Sequence, residues 1–305
     1  TSTVLMASLA RLEAEHANDR LLFLAFWNKR LFRIYPLAIA TVVLVALFHI
    51  PADPDLNYVW IGIKGFVSNL LLVQNLDVSP NILSPLWSLP LEVQMYVLLP
   101  FAYLAIRHGR RFRSLWLWAL SLPLAVLLPK INWRLEVFSY APCFVSGIVA
   151  FDLIKSRRSL WKLPAWVWPL VIAAAVLIFG PNDNLSLGLK MHRAWAVSLL
   201  LGVGYAFTAE GSHNWIHAIF HWIAEHSYGI YLSHLIVFWI VFRKMAGLPW
   251  WMGATVLVAG SLGIPALAYV GLEKPLILVG NHMARRLLRR HALGSRRGES
   301  QLSSR

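Results

Sequence analysis

Glu92 lies in SPLWSLPLEVQMYVLLP, residues 84–100, an acid four residues after Ser88 in a stretch that otherwise reads as apolar helix. A spacing of four puts Ser88 and Glu92 on one helical face, and Trp87 and Gln94 flank them. An ionised carboxylate at the centre of a bilayer costs roughly 2.5–3.5 kcal/mol on insertion scales, so such groups face a bundle interior or a wet cavity. There they can hold or move protons; a helix-to-helix hydrogen bond without chemistry satisfies the same pattern. Pro90, between the two, is expected to loosen the backbone ladder. A second polar stripe runs through EHSYGIYLSHLIVFW, residues 225–239, where Ser227, Tyr231 and His234 follow an i, i+4, i+7 path. A histidine inside a span is either a proton-handling group or a satisfied interior donor.

Two further groupings are cationic or imidazole-rich. In KRLFRIYP, residues 29–36, Arg30 and Arg33 are three apart and share a face. Paired guanidinium forks match the oxygens of a polyphosphate, and Pro36 is expected in the opening turn of the helix that follows. A membrane-interface anchor is the competing reading. In HNWIHAIFHWIAE, residues 213–225, His213, His217, His221 and Glu225 recur at steps of four. Two histidines at i, i+4 can chelate a metal. Each such step turns by about 400°, however, so the stripe drifts around the helix. With Trp215, Phe220 and Trp222 beside it, the segment reads as an interfacial amphipathic helix, and no metal site is assigned.

The elements that must position these residues are set by composition. Of 305 residues, 58% are apolar and 14% charged, against roughly 25% charged in a soluble domain. Apolar runs near the length of a bilayer crossing, about 20 residues, fall near 34–50, 86–106, 114–129, 135–154, 163–179, 192–208, 228–246 and 249–272. Short alternating segments of the β-barrel kind are absent. The expected fold is an all-α, polytopic integral membrane bundle of about eight spans. Residues 58–76, with Lys64, Asn69, Gln74 and Asn75, read as a re-entrant or interior-packed element. A ninth crossing there would reverse every later loop.

The net charge of +14 is an orientation signal. Five basic residues lie in 1–35, four in RHGRRFR (107–113), four in KSRRSLWK (155–162) and eight in 274–305, whereas the intervening loops hold two or none. Alternation places the basic set and both ends of the chain in the cytoplasm. No nucleic-acid partner is expected. The lone Cys143 excludes an intramolecular disulfide. Residues 1–280 read as one membrane domain, and 281–305 as a basic cytoplasmic tail, disordered or adsorbed to anionic lipid.

In order and spacing over roughly residues 20–280, these blocks resemble the acyltransferase 3 family, the integral membrane enzymes that include the O-antigen acetylases. KRLFRIYP resembles its paired-arginine stretch, LWSLPLEVQMYVLLP its serine–glutamate block, HSYGIYLSH its Ser-Tyr…Tyr-Leu…His block, and GLEKPL (271–276) its closing Glu-Lys-Pro. The resemblance implies transfer of an acyl group, acetyl above all, from cytoplasmic acyl-CoA to a hydroxyl of a sugar or glycolipid across the inner (cytoplasmic) membrane. Acyl-CoA would be a co-substrate, with no bound cofactor. Arg30 and Arg33 would hold its phosphates, Trp87, Ser88 and Tyr231 would line the path, and Glu92 and His234 would be the catalytic groups. The family also carries an essential histidine in a first span, preceded by an arginine, and this chain is expected to begin after that span. It is then an amino-terminally incomplete domain or an inactive truncated relative. His49, in VALFHI, is a weak substitute as base. A transporter or flippase of lipid-linked sugars, or a non-catalytic membrane scaffold, would use the same interior polar residues without a donor site.

Overall fold

The structure, a computed structural model, describes residues 2–15, 18–107, 112–156, 162–164, 166–179, 187–208 and 215–302. In chain order the helices are α1 (Ser2–Glu15), α2 (Asp19–Leu47), α3 (Gly62–Leu71), the single turn α4 (Gln74–Asp77), α5 (Ser88–Arg107) and α6 (Arg113–Ile131). They continue with α7 (Ala141–Ser156), α8 (Val167–Phe179), α9 (Leu187–Ala206), α10 (Trp215–Trp239), α11 (Trp250–Ala268) and α12 (Lys274–Leu302). Turns of 3₁₀ helix at Ser84–Trp87 and Trp133–Tyr140 lead into α5 and α7. Turns of π helix at Ile240–Lys244 and Tyr269–Glu273 follow α10 and join α11 to α12. The described residues contain no strand beyond one isolated bridge between Leu163 and Thr208.

Among the described residues, five helical stretches are long and apolar enough to cross a membrane: Asp19–Leu47, Ser84–Arg107, Arg113–Ile131, Trp133–Ser156 and Trp250–Leu288. The chain is an all-α integral membrane protein. The other expected spans fall on α8, α9 and α10. Of these, α8 has 13 residues, about 20 Å at 1.5 Å per residue against a hydrocarbon layer near 30 Å. The central parts of the basic segments RHGRRFR and KSRRSLWK (108–111 and 157–161) lie outside the described residues, as does His213.

The chain divides into two compact units, Thr1–Ala14 with Gln94–His217, and Glu15–Val93 with Ala218–Arg305. In the first, α1 buries Leu5, Met6, Leu9 and Leu12, an i, i+4, i+7 stripe. Its end is pinned by polar contacts: Tyr103, fully buried, donates its hydroxyl to Glu13, and Arg107 reaches the same carboxylate at 3.2 Å. Trp195 Nε1 donates to Ser139 O at 2.8 Å and Ser114 to Asp152 at 2.6 Å, two polar contacts made within this unit.

The second unit holds all the expected site residues. Helix α2 begins at an Asn18 cap, whose Oδ1 accepts from Arg20 N at 2.9 Å. It is therefore longer than the apolar run alone, and Pro36 lies inside it, not in an opening turn as the sequence suggests. The polar stretch Asp19–Arg33 is helical because its Leu, Phe and Ala residues form a buried stripe (Leu21, Leu22, Ala25, Phe26). Helix α12 packs on α2 at Gly280. A Cβ there would stand 2.6 Å from Phe32 Cβ, and Gly280 O accepts from Asn28 Nδ2 at 2.7 Å. The backbone of α12 is helical to Leu302, into the stretch expected to be disordered. Its Ala, Leu and Arg content favours helix.

The 58–76 segment does not cross as one helix. Its α3 is ten residues, about 15 Å, and ends at Leu72 with a left-handed φ of 55°. The polar residues that interrupt this apolar run tie down the chain leading to α5. Asn69 donates to Gly65 O at 2.8 Å and Pro80 O at 2.9 Å and accepts from Ile82 N at 3.1 Å. Gln74 Nε2 donates to Leu86 O at 3.1 Å.

Candidate functional site

Ser88 is the first residue of α5, directly after the 3₁₀ turn Ser84–Trp87 that Gln74 holds. Pro90 thus falls in the first turn of α5, where no backbone N–H is called for. The ladder loosened by proline lies elsewhere in this helix, at Pro100. Ser88 Oγ is 2.8 Å from Tyr231 OH on α10, and Tyr231 donates to Pro85 O at 2.5 Å. A phenol has one hydrogen, so the Ser88 hydroxyl is the donor to Tyr231. The chain of hydroxyls runs Ser88 to Tyr231 to Pro85, and Ser88 keeps its oxygen lone pairs for other donors. Glu92, one turn along α5, is half-buried, and its charge acts on Tyr231. Trp87 is 48% exposed.

His234 stands one turn beyond Tyr231 on α10. Its Nδ1 is 2.7 Å from Tyr231 O. A carbonyl only accepts, so Nδ1 carries the hydrogen and Nε2 carries the lone pair of the neutral ring. The ring lies 6.0 Å from that of Tyr231 and edge-on to Phe238 at 5.9 Å. Ser227 does not join this group; it is exposed and donates to Ala224 O at 2.9 Å.

The arginine pair has two different environments. Arg30 is half-buried with its guanidinium 5.5 Å from the Phe26 ring centre, a cation–π contact. Arg33 is exposed, and its positive field reaches Tyr269 and Glu273. Tyr228 donates to Ile34 O at 2.8 Å, tying α10 to α2 beside Pro36.

Glu273, in GLEKPL, and His226, in EHSYGIY, carry no role in the sequence pattern. Both are buried, at 2% and 5% exposure. The π turn Tyr269–Glu273 ends on Glu273; such turns are frequent at functional sites. Gly229 stands beside it: a Cβ there would crowd Pro265 Cα at 3.1 Å and touch Glu273 Oε1 at 3.4 Å. His226 Nδ1 donates to Trp222 O at 2.8 Å, and its ring stacks on Trp222 at 4.2 Å and beside Tyr269 at 4.6 Å. Tyr269 gives its hydroxyl to Glu225. The available signal was a carboxylate and a histidine within apolar runs, each costly to bury.

The remaining candidates separate from these clusters. His49 follows the end of α2 with a φ of 50° and stands edge-on to Tyr58 at 4.8 Å. His217 and His221 are exposed on α10, and Glu225 is engaged by Tyr269. Among the described residues, no three His, Cys, Asp or Glu side chains gather as a metal site would require.

The model of a family described as an acyltransferase domain matches residues 17–270, most of the chain, and Glu273 lies just past its end. The chain belongs to the acyltransferase 3 family. A similar protein is the acyltransferase MdmB of Streptomyces mycarofaciens, 26% identical over 264 residues that cover 76% of this chain and 66% of that protein. The chain thus spans just under two thirds of that relative's length. No solved structure matches. Within the family match, Ser88 and Tyr231, 143 residues apart, meet through their hydroxyls.

Proposed function

We propose that the protein is an O-acyltransferase that moves an acyl group, acetyl in the simplest case, from cytoplasmic acyl-CoA to a hydroxyl of a sugar or glycolipid. It would act in the inner membrane with both ends of the chain in the cytoplasm. The observation that carries this reading is the family match over residues 17–270. The hydrogen-bonded Ser88 and Tyr231, with His234 one turn on, support it.

Arg30 and Arg33 bind the phosphates of acyl-CoA, a co-substrate that leaves as free coenzyme A. Arg33 is open to solvent for this purpose, and Arg30 is braced on Phe26. The acceptor hydroxyl is a poor nucleophile until a base near neutral pKa takes its proton. His234 Nε2, with Nδ1–H committed to Tyr231 O, is the base that this chain offers. The alcohol oxygen attacks the thioester carbonyl, a C–O bond forms, the C–S bond breaks, and the thiolate takes the proton back through His234. Glu92 supports the imidazolium electrostatically. Ser88, Tyr231 and Trp87 line the path, and a rotation of the Ser88 hydroxyl would turn a donor toward the developing oxyanion. The test is transfer of a labelled acetyl group from acetyl-CoA to glycolipid in vesicles. Transfer should require both His234 and the arginine pair, and vesicles that translocate glycolipid without consuming acetyl-CoA would overturn the reading in favour of a transporter.

A further inference from the structure

We propose that Glu273 is a proton-binding site linked to the donor site: its carboxyl takes up a proton when anionic phosphates occupy Arg33 and releases it when they leave. The proposal rests on the reading of Arg30 and Arg33 as the acyl-CoA phosphate site and adds a regulating group to it. Glu273 is 2% exposed, and its Oε1 finds no hydrogen-bond donor among the described residues. An ionised carboxylate left in that state is costly unless positive charge offsets it. Arg33 adjoins Ile34, whose carbonyl accepts from Tyr228 at 2.8 Å, and the next residue, Gly229, faces Glu273 Oε1. The described positive groups that act on Glu273 are Arg33 on α2 and His226 on α10.

The other groups facing this pocket do not add support. Tyr269, on the same π turn, spends its hydroxyl on Glu225. Glu225 is itself anionic and draws on His221, His226 and Lys274. Gly229 and Pro265 close the remaining side with uncharged atoms. Burial and charge are thus divided between two residues: Glu273 is enclosed, whereas Arg33 is exposed and can be reached by an anion.

A phosphate carries about −1.5 to −2 charges near neutrality. Seated on Arg33, it offsets the positive field that acts on Glu273. The enclosed carboxylate then binds a proton from solvent as an O–H on Oε1, with no other bond made or broken. His226 gives its Nδ1–H to Trp222 O at 2.8 Å. By linkage, lower pH must favour phosphate binding to the same extent that phosphate favours protonation.

The experiment is titration calorimetry of the purified full chain in lipid nanodiscs with coenzyme A. It is run at about pH 7.5, above the second phosphate ionisation near pH 6, in buffers of different ionisation enthalpy. The expected result is net proton uptake on binding. Glu273→Gln should still bind coenzyme A with at least half of that uptake gone, and Arg33→Gln, at an exposed position, should bind more weakly and also lose it. Uptake that is absent in the unmodified protein, or unchanged in either variant, overturns the proposal while leaving the donor site standing. Failure of the unmodified protein to bind coenzyme A would overturn both.

Discussion

His226 and His234 sit on the same helix, each giving Nδ1–H to a backbone carbonyl one turn back, at 2.8 Å and 2.7 Å. The difference lies in their neighbours. His234 is half-buried beside hydroxyls, with Ser88 and Tyr231 in a directed chain ending on Pro85 O. His226 is buried beside charge, between Trp222 and Tyr269, with Glu273 and Arg33 acting on it or its partner. Eight residues of helix, about 12 Å, separate the proposed substrate base from the histidine beside Glu273.

The largest effect that this contrast predicts falls on His234. His234→Gln should reduce kcat by about 10²–10⁴, the usual worth of a general base, with folded yield unchanged. His226→Gln should cost about tenfold or less, because its effect passes through Glu273. Equal losses in the two variants would erase the distinction, and a larger loss at His226 would reverse the assignment. Next in size is the donor site: Arg33→Ala should weaken coenzyme A binding by about ten- to a hundredfold, on the scale of a lost charged hydrogen bond of about 1.5–3 kcal/mol.

Packing changes come third. Gly280→Ala forces a methyl group against Phe32, and overpacking of this kind costs about 1–3 kcal/mol. Thermal unfolding should show the loss, together with weakened coenzyme A binding, because Phe32 adjoins Arg33 in sequence. Tyr103→Phe removes the hydroxyl pinned to Glu13 in the other unit, and should cost about 1.5–3 kcal/mol, the scale of a hydrogen bond to a charged group, without changing kcat.

The smallest effect is a pH response. The Ser68 hydroxyl, and then Ser79 and Lys64, hold the Asp77 carboxyl below its ordinary range. A lowered folded-state pKa means that the contribution is complete above the unfolded value near 3.9 and is lost as pH falls through the folded value. Hydrogen exchange over residues 65–80 should therefore quicken below about pH 4, and Asp77→Asn should remove that acid-sensitive part.

The hydroxyl cluster was legible because it obeys a local rule: Tyr231 and His234 share a helical face, and Ser88 stands out as a polar residue opening an apolar helix. The family blocks named the same residues. The charged cluster was not legible because no periodicity joins Arg33, His226 and Glu273. It exists because a π turn ends on Glu273 and Gly229 lets Pro265, and with it that turn, pack close against α10. Proline was misjudged twice for one physical reason. Helix starts are set by caps and turns, Asn18 for α2 and the 3₁₀ turn Ser84–Trp87 for α5, and not by where the apolar run begins. The polar residues of 58–76 stand out in the sequence, but their use, to fasten the backbone feeding Ser88, needs three dimensions.

Equilibrium dialysis of coenzyme A against the purified chain in nanodiscs tests the central claim most directly, by comparing the unmodified protein with the Arg30→Ala, Arg33→Ala double variant. The account predicts retention at millimolar coenzyme A that the double variant loses by at least tenfold at equal folded yield. Equal retention by both, or none by either, would contradict it.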